Sequence, residues 1–393
     1  MVQQRSLRGL DWLNFFVAAV QTGFGPFLSV HLTARLWTQT EIGTALSLGT
    51  IISVLSQVPG GALVDAARGK RGAALWSLLG IGVAALLIAV WPVRWPVVSA
   101  LMLQGFASSV LGPAIAAISL SLVGRALLGE RIGRNVRFSA IGNGVAAGVM
   151  GMVGTWVSEG AVFGLTAALV VPALFCLGRI NGGLSVPPAT PPDAPPGWQE
   201  IRRLLRDRRL TIFAFCAGAF HLANAAMLPL AAADITRDGG RWVELTVAAY
   251  IVVPQIVMAL LSPWIGRMAE TRGRRGMLLL GWGMLPVRGV LLALSAAPWM
   301  LVPVQALGGI SAAVYGIMLP LIAADLSHGT RRFNLCMGGI GFAGTIGAIL
   351  STTVAGWVAD RLSTEAAFLG LGLVGLAGTA LVWLAMPETK GGD

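Results

Sequence analysis

Long apolar stretches alternate with short charged or turn-rich segments along the whole chain. Most of these stretches reach about 20 residues, the length that a helix needs to cross the roughly 30 Å hydrocarbon core of a bilayer. The pattern predicts an all-α integral membrane protein with twelve transmembrane helices, which we number as spans 1 to 12. Their predicted limits are 10–32, 41–64, 73–91, 97–123, 137–157, 161–177, 210–230, 245–267, 276–296, 298–324, 333–358 and 364–384.

A segment of different character separates spans 6 and 7. The stretch "SVPPATPPDAPPG" cannot form a regular helix, since each proline removes a hydrogen-bond donor and clashes with the preceding turn. The next residues, "WQEIRRLLRDRRL", place apolar side chains on one helical face and arginines on the other, which favours an amphipathic helix at the lipid headgroups over a regulatory or partner-binding role. We therefore predict a six-helix bundle at 1–178, a cytoplasmic linker at 179–209 and a second six-helix bundle at 210–393.

The two predicted bundles resemble one another in sequence. "VQTGFGPFLSVHL" in span 1 aligns with "FHLANAAMLPLAAADI" in span 7, so that Gln21 matches Asn224. "GALVDAARGKRG" after span 2 corresponds to "GRMAETRGRRG" after span 8, about 205 residues later. Several collinear pairs at a nearly constant offset indicate a duplicated six-helix unit, an organisation found in many transporters. The prediction is therefore two pseudo-symmetric bundles.

The placement of the few charged residues predicts the orientation of the chain. Charged residues make up only 11% of it, and the mean hydropathy is +0.77. Cytoplasmic loops of membrane proteins are enriched in lysine and arginine. With the N-terminus inside, 22 of the 28 lysines and arginines fall in cytoplasmic segments and five on the opposite side, while Arg288 lies within span 9. We expect both termini in the cytoplasm and a bacterial-type cytoplasmic (inner) membrane as the location. We expect no nucleic-acid partner, because the basic residues lie between apolar stretches.

The sequence indicates neither a cofactor nor a catalytic centre. Cys176, Cys216 and Cys336 lie inside apolar stretches without a disulfide or metal-binding spacing. A nucleotide-binding phosphate loop is missing, so ATP is not the expected energy source. Paired acid and base groups at one depth are also missing, and we expect the protein not to be an enzyme. The first apolar stretch is too long for a cleaved signal sequence and contains polar residues, so we interpret it as a retained span.

The charged loops after spans 2 and 8 resemble the motif G-x-x-x-D-R-x-G-R-R of the major facilitator superfamily. The second copy fits without a gap, although Thr271 stands where the family has arginine. In the first copy one extra residue precedes Gly69. Together with the topology, the repeat and the central linker, the resemblance covers essentially the whole chain. The matching residues are Gly61, Asp65, Lys70 and Arg71 in the first copy and Gly266, Glu270, Gly273, Arg274 and Arg275 in the second.

The resemblance implies that these loops form a conformational latch. Glycine lets helices approach closely, and the acid can face the N-terminal end of a neighbouring helix, where the helix dipole favours negative charge. In the superfamily that helix belongs to the opposite half, so Asp65 would face the start of span 11 and Glu270 the start of span 5. Contacts present in one conformation bias alternating access; the alternative is that the residues only enforce the orientation. The basic residues at the two helix starts are Arg331, Arg332, Arg134 and Arg137.

A looser similarity connects the chain with the drug and metabolite:proton antiporter branch of that superfamily. Span 4 keeps Gln104 and Gly105 of the branch's motif but has Leu101 in place of its arginine. Span 5 keeps closely spaced glycines but lacks the Gly-Pro step, and close helix packing between the two halves is the simpler explanation for them. We therefore expect export only slightly in preference to uptake.

The resemblance also implies which spans meet a substrate. In this fold spans 1, 4, 7 and 10 line the central cavity, whereas spans 3, 6, 9 and 12 are peripheral. Polar side chains near the middle of cavity spans are candidates, because they are costly in lipid and must face protein or water. The spacing of His221 and Asn224 places both on one helical face. The candidate substrate-binding residues are Asn14, Gln21, Gln104, Ser108, His221, Asn224, Gln305 and Tyr315.

Two titratable residues are candidates for proton coupling, His221 and Asp11. Histidine can change charge near neutral pH, so His221 could bind protons, anions or a metal, or be a neutral residue hydrogen-bonded within the bundle. Asp11, near the cytoplasmic mouth of span 1, could relay protons or interact favourably with the helix dipole. For Arg288 in span 9, a structural contact is favoured over a ligand contact because that span is peripheral.

These observations favour a secondary active transporter that works by alternating access and is coupled to protons. The middle of the cavity spans contains no carboxylate, which suits a small neutral or anionic organic solute better than a lipophilic cation. The expected partners are this solute, protons and the lipid bilayer, with the monomer as the functional unit. The alternatives are efflux of a transition metal or metal chelate such as a siderophore and, in another class, a membrane sensor without transport.

Overall fold

The structure, a computed structural model, describes residues 2–24, 26–67, 69–180, 206–231, 243–294, 301–328 and 332–390. Within these ranges twelve helices are long and apolar enough to cross a membrane, which confirms the predicted twelve spans. The described elements are all helical. The proline-rich stretch and most of the predicted amphipathic helix of the linker, together with Arg68 and Arg331, lie outside the described residues.

The helices of the first half begin with span 1, which is built from two consecutive helices, Val2–Thr22 and Pro26–Ala34. The next five are Gln39–Ala66 (span 2), Lys70–Val90 (span 3), Arg94–Val123 (span 4), Leu128–Trp156 (span 5) and Glu159–Gly178 (span 6). Span 5 begins at Leu128, whereas the apolar pattern predicted 137, because the first turns of this helix are polar and hydropathy detects only the apolar part.

The second half contains six further spans. They are Arg208–Asn224 (span 7, which as a membrane span continues to Ala231), Val243–Arg272 (span 8), Arg274–Leu294 (span 9), Leu301–Leu326 (span 10), Phe333–Arg361 (span 11) and Thr364–Ala385 (span 12). Spans 8 and 9 are separated by Gly273 alone, whose φ of +93° is a backbone conformation that favours glycine.

Side-chain caps define where several helices start. At span 2 the Thr38 hydroxyl accepts from the Glu41 backbone N–H and the Glu41 carboxylate accepts from the Thr38 N–H, a complete capping box. Ser158, Asp207 and Ser363 cap spans 6, 7 and 12 by accepting backbone N–H groups of the first turn. These residues satisfy donors that a helix start leaves without a partner.

The backbone contacts divide the chain into two compact units. The first comprises Met1–Pro195 with Gly329–Gly338, and the second comprises Pro196–His328 with Gly339–Asp393. In the first unit span 4 packs on spans 2 and 3, and span 6 packs on spans 1 and 3. The second unit repeats these pairings, with span 10 on spans 8 and 9 and span 12 on spans 7 and 9. Equal pairings six spans apart agree with the predicted duplication.

The surface of the helices is apolar where a soluble protein would be polar. Leu55, Leu86, Phe175 and Leu373 are each more than half exposed. Such an exposed apolar surface fits a lipid environment, in which the helices satisfy their backbone hydrogen bonds internally. Among the glycines of span 5, Gly142 packs against the neighbouring span 1, because a Cβ there would stand 2.3 Å from the carbonyl oxygen of Phe15. This glycine therefore serves packing within the first unit and not, as expected, between halves.

Candidate functional site

Three predicted polar residues of the first unit form a hydrogen-bonded chain between spans 1 and 4. Gln104 Nε2 donates to Ser108 Oγ over 3.1 Å, and Ser108 Oγ donates to Gln21 Oε1 over 3.5 Å. All three side chains are half-buried. Because a side-chain amide stands at either end, this hydrogen-bonded chain of side chains offers both donors and acceptors. An uncharged polar solute requires both.

Asn14, the fourth predicted residue of this unit, lies at the contact of spans 1 and 5. Its Nδ2 donates to the carbonyl oxygen of Leu10 over 2.8 Å, and Ser139 Oγ donates to the Asn14 carbonyl oxygen over 3.5 Å. The side chain is buried, with 7% exposed. The recorded bonds of Asn14 therefore satisfy its amide within its own helix, away from the chain formed by the other three residues.

Asp11 is a buried carboxylate that forms ion pairs with one buried and one exposed arginine. One carboxylate oxygen lies 2.5 Å from Arg131, and the other lies 2.6 Å from Arg134. Arg131 Nε donates to Asn135 Oδ1 over 2.8 Å, and Asn135 Nδ2 donates to Ser119 Oγ over 2.8 Å. Two guanidinium groups of span 5 bind the one carboxylate, so Asp11 holds span 1 to span 5. A proton relay through Asp11 would require these ion pairs to open.

This network was not predicted, although the sequence contains a signal for it. Arg131, Arg134 and Asn135 stand three and four residues apart and thus share one face at the start of span 5. We interpreted the arginines only as topology signals and as neighbours of Glu270. In the structure Arg134 is a partner of Asp11; the expected contact with Glu270, a residue of the other unit, stays a prediction.

His221 belongs to a cluster of four rings in the second unit. It meets Tyr315 edge to face with ring centroids 4.6 Å apart, and Phe220 stacks on Tyr315 at 4.8 Å. Trp282 packs on Phe220 at 4.7 Å. Span 11 approaches the same place, since a Cβ on Gly344 would stand 2.8 Å from His221 Cδ2 and 3.0 Å from the Tyr315 hydroxyl oxygen.

The structure thereby brings two predicted residues, His221 and Tyr315, into contact and adds two that the sequence analysis missed. Phe220 and Trp282 are apolar aromatic residues in apolar helices, so no pattern distinguished them from core residues. Trp282 Nε1 donates to the Cys216 carbonyl oxygen over 3.0 Å, which holds its indole in place. A rigid aromatic wall beside one imidazole and one phenol suits an organic solute with both apolar and polar groups.

A second polar group of this unit joins spans 7, 9 and 10. Arg288 Nη1 donates to Asn224 Oδ1, and the guanidinium lies against Gly308 of span 10. Gln305 lies one turn before Gly308 and is 2% exposed. The predicted residue Asn224 therefore binds an arginine that was expected to be structural because its span is peripheral, and the predicted residue Gln305 lies one helical turn from the glycine on which this arginine packs.

In the first charged loop, Asp65 accepts hydrogen bonds from the start of span 11. Its carboxylate accepts from the Asn334 backbone N–H at 3.1 Å, from Asn334 Nδ2 at 2.7 Å and from the Leu335 backbone N–H at 2.9 Å. Gly61 makes this approach possible, because a Cβ there would stand 2.1 Å from the Asn334 carbonyl oxygen. Asp65 thus lies at the helix start that the resemblance implied, and this start, up to Gly338, belongs to the first unit together with Asp65.

The basic residues of the first loop bind the ends of neighbouring helices. Lys70 Nζ donates to the carbonyl oxygens of Val64, Asp65 and Ala67, at 2.5, 3.0 and 3.3 Å. Arg71 Nη2 donates to the Gly178 carbonyl oxygen at 3.3 Å. A cation at the C-terminal end of a helix is stabilised by the carbonyl groups and the helix dipole.

In the second loop, Arg274 and Arg275 make contacts within their own unit. Arg274 lies 3.5 Å from Glu270, four residues earlier in the chain, and 3.1 Å from Asp325 at the end of span 10. Arg274 Nη1 also donates to the Ala269 carbonyl oxygen over 2.7 Å, and Arg275 donates to the carbonyl oxygen of Trp383 in span 12. Gly266, the first residue of this motif copy, lies within the span 8 helix.

The helix start of span 9 is capped from the C-terminal tail, which the sequence analysis did not foresee. The Glu388 carboxylate accepts from the backbone N–H groups of Arg274 at 2.8 Å and Arg275 at 3.1 Å. Gly273 leaves room for it, since a Cβ there would stand 2.4 Å from Glu388 Oε2. Partial burial would raise the pKa of Glu388, but hydrogen bonds from the N–H groups of Arg274, Lys390, Arg275 and Thr389 together hold this pKa below its usual value.

Within the described ranges, no group of three or more His, Cys, Asp or Glu side chains is placed to hold a metal ion. Cys176, Cys216 and Cys336 are buried free thiols.

Comparisons with known proteins identify the family. A family model described as Major Facilitator Superfamily matches residues 10–250 and 222–393. The chain belongs to the major facilitator superfamily. Over its full length it is 36% identical to the MFS-type transporter Rv2456c of Mycobacterium tuberculosis, 96% of which is covered. It is also 29% identical over 135 residues to the class B tetracycline resistance protein of Escherichia coli, a match that covers 34% of this chain and 33% of that protein.

Solved structures of the superfamily share the fold. The human organic anion transporter MFSD10 (TETRAN) and the Escherichia coli fucose:proton symporter FucP each superpose with a TM-score of 0.77 over 97% of this chain. The superpositions cover 99% of the MFSD10 chain and 98% of the FucP chain. The sequence identity is 14% in each case, so the likeness concerns the fold alone. As a member of the major facilitator superfamily, the protein is a multi-pass membrane transporter for a small molecule and not an enzyme.

Proposed function

We propose that this transporter moves a small neutral or anionic organic solute by alternating access, with proton coupling and with export as the favoured direction. The observation that carries the proposal is the pair of polar clusters on the spans that line the cavity in this superfamily. One is the Gln21, Ser108 and Gln104 chain of spans 1 and 4, and the other is the His221 and Tyr315 contact of spans 7 and 10. Each cluster belongs to one of two units that are related by the repeat.

Proton coupling is assigned to His221 in this proposal. It is a titratable residue that contacts Tyr315, and its surroundings among Phe220 and Trp282 are apolar. Asp11 contributes only if its pairs with Arg131 and Arg134 open during the cycle. We further propose the cytoplasmic membrane as the location, with both termini inside, a functional monomer, and Asp65 and Glu270 as latch residues.

The proposal is tested by solute flux into proteoliposomes with an imposed pH gradient. We expect at least one small organic solute to move against its own gradient in response to the pH gradient. If the pH gradient changes the flux of none of the tested solutes, proton coupling is contradicted.

The role of His221 is tested in the same vesicles with the variant His221→Gln. We expect altered solute affinity or a changed pH profile, whereas the matched variant His31→Gln, which changes a buried histidine of the first unit, should retain both. An unchanged affinity and pH profile in His221→Gln would return this residue to a packing role.

A further inference from the structure

Arg288 is a charged side chain buried inside the second unit. Only 3% of the residue is exposed. The ion pairs recorded between described residues involve other arginines, so this part of the chain supplies no carboxylate for Arg288. A buried and uncompensated charge is costly, and within a membrane such residues are typical of functional sites. The chain therefore retains a costly group that packing alone does not require.

The hydrogen-bond donors around Arg288 exceed the acceptors. Nη1 donates to Asn224 Oδ1, while Nε has no acceptor among the described residues. Gln305 Nε2 is a second buried donor without an acceptor in the described ranges. Buried donors of this kind are rare in folded proteins and call for an explanation.

Gly308 places these two donors on one site. A Cβ at this position would stand 2.9 Å from Arg288 Cζ, 3.0 Å from Nη2 and 3.3 Å from Nε. Because Cζ is the nearest of the three atoms, the guanidinium packs with its face, and not with its Nε–Nη2 edge, on the span 10 backbone at Gly308. Gln305 stands three residues earlier, on the same helical face. At 1.5 Å per residue, Arg288 lies about 21 Å along span 9 and Asn224 about 24 Å along span 7. The group is thus at one depth in the bundle.

We propose that Arg288, Gln305 and Asn224 form a binding site for a carboxylate group of the transported solute. The proposal rests on the transport function proposed above and narrows its solute class from neutral or anionic to monoanionic. The carboxylate oxygens accept from the Nε–Nη2 edge of Arg288 and from Gln305 Nε2, and Asn224 holds the guanidinium through Nη1.

The donors around Arg288 favour a carboxylate over other anions. A guanidinium edge matches the two oxygens of a carboxylate in a bidentate arrangement. One positive charge balances one negative charge, whereas a phosphate ester with two charges would leave one unbalanced in an apolar interior. The aromatic cluster that includes Tyr315 and His221 belongs to the same unit and suits the organic part of such a solute.

The test measures thermal unfolding of the purified full-length protein, titrated with sodium benzoate and sodium acetate against sodium chloride at equal ionic strength. We expect a saturable rise of the unfolding temperature with the carboxylates, because a ligand that binds the folded state stabilises it. The variant Arg288→Met should lose this rise while its ligand-free unfolding temperature stays equal or increases, since it removes an uncompensated charge. Arg361→Met, an exposed arginine at the end of span 11, is the matched control and should retain the rise.

Two variants that keep Arg288 show whether a loss of binding in Arg288→Met comes from the site or from misfolding of that variant. Gln305→Leu removes one donor, and Gly308→Ala displaces the guanidinium without changing the charge; each should weaken benzoate binding roughly tenfold or more. The site is overturned if wild type shows no saturable carboxylate effect, or if Arg288→Met, Gln305→Leu and Gly308→Ala all bind benzoate as wild type does.

The outcomes separate this site from transport itself. If carboxylate binding depends on Arg288 but no solute shows gradient-driven flux, the proposed transport function is contradicted and the proposed binding site is supported. If gradient-driven flux occurs and Arg288→Met does not change it, the proposed transport function is supported and the proposed binding site is contradicted.

Discussion

The two copies of the charged loop are held in different ways. In the first copy, Asp65 accepts three hydrogen bonds from Asn334 and Leu335 at the start of span 11. In the second copy, the corresponding acid, Glu270, pairs with Arg274 in its own loop, and the nearby helix start of span 9 is capped by Glu388 of the tail. The second copy matches the family motif without a gap, yet the first copy makes the clear contact with a distant helix start. Similarity of a motif therefore indicates common origin, while the partner depends on which segment reaches the loop.

The largest effect is expected for Asp65→Ala. The variant leaves two backbone N–H groups of span 11 and the Asn334 amide without their acceptor in a buried place, which should cost about 3 kcal/mol of stability. Thermal unfolding of the purified protein measures this loss. Asp360→Ala, an exposed acid at the end of span 11, is the control and should change stability little. A drop no larger than that of the control would remove the difference between the two loops.

A smaller effect is expected for Glu388→Gln. The amide keeps the shape but loses the charge that strengthens the bonds from Arg274 and Arg275, which should cost about 1–2 kcal/mol locally. Hydrogen exchange of residues 386–390 and of the two arginine amides should become faster, whereas Glu365→Gln at the span 12 start should leave both segments unchanged. Unchanged exchange in Glu388→Gln would show that the tail does not hold the second loop.

The transmembrane spans could be predicted from the sequence, whereas most of the contacts that distinguish the two loops could not. Apolar stretches of membrane-crossing length predict helices directly, because few other structures satisfy the backbone in lipid. His221 and Tyr315 were predicted from their polarity inside apolar spans. Phe220 and Trp282 were not, since aromatic residues in apolar helices look like core residues.

Charged residues show the same limit. The Asp11 network and the Glu388 cap depend on contacts between segments that are far apart in the chain. The helical face shared by Arg131, Arg134 and Asn135 indicates a polar contact surface, but no local pattern identifies Asp11 or Glu388 as the partner. Arg288 was assigned a structural role because span 9 is peripheral in the family. The packing of its guanidinium against Gly308 of span 10 became visible only in the structure.

The tail contact should also depend on pH. Because the folded-state pKa of Glu388 is lowered, its contribution is complete above the usual glutamate value of 4.5 and is lost only as the pH falls below that value. The distance between spin labels at Thr271 and Lys390 should increase on acidification in this range. In Glu388→Gln the same distance should not respond to pH; a response equal to that of wild type would assign the effect to another group.

The smallest effect is expected for the pair between Glu270 and Arg274. It is a 3.5 Å contact between residues four apart in the chain, a type of pair worth about 0.5 kcal/mol or less. A double-mutant cycle of Glu270→Gln and Arg274→Met, measured by thermal unfolding, should therefore give a coupling energy of about 0.5 kcal/mol or less. A coupling as large as the loss expected for Asp65→Ala would mean that both loop acids are anchored with equal strength.

The proposal that Asp65 is a latch of an alternating-access transporter is tested most directly by the distance distribution between spin labels on the two units. Leu127, in the loop after span 4, and Arg272, the last residue of span 8, are exposed and suit the labels. We expect two distance populations in wild type, and in Asp65→Asn a shift away from the population that contains the Asp65 contact. A single population, or a distribution that Asp65→Asn leaves unchanged, would contradict it.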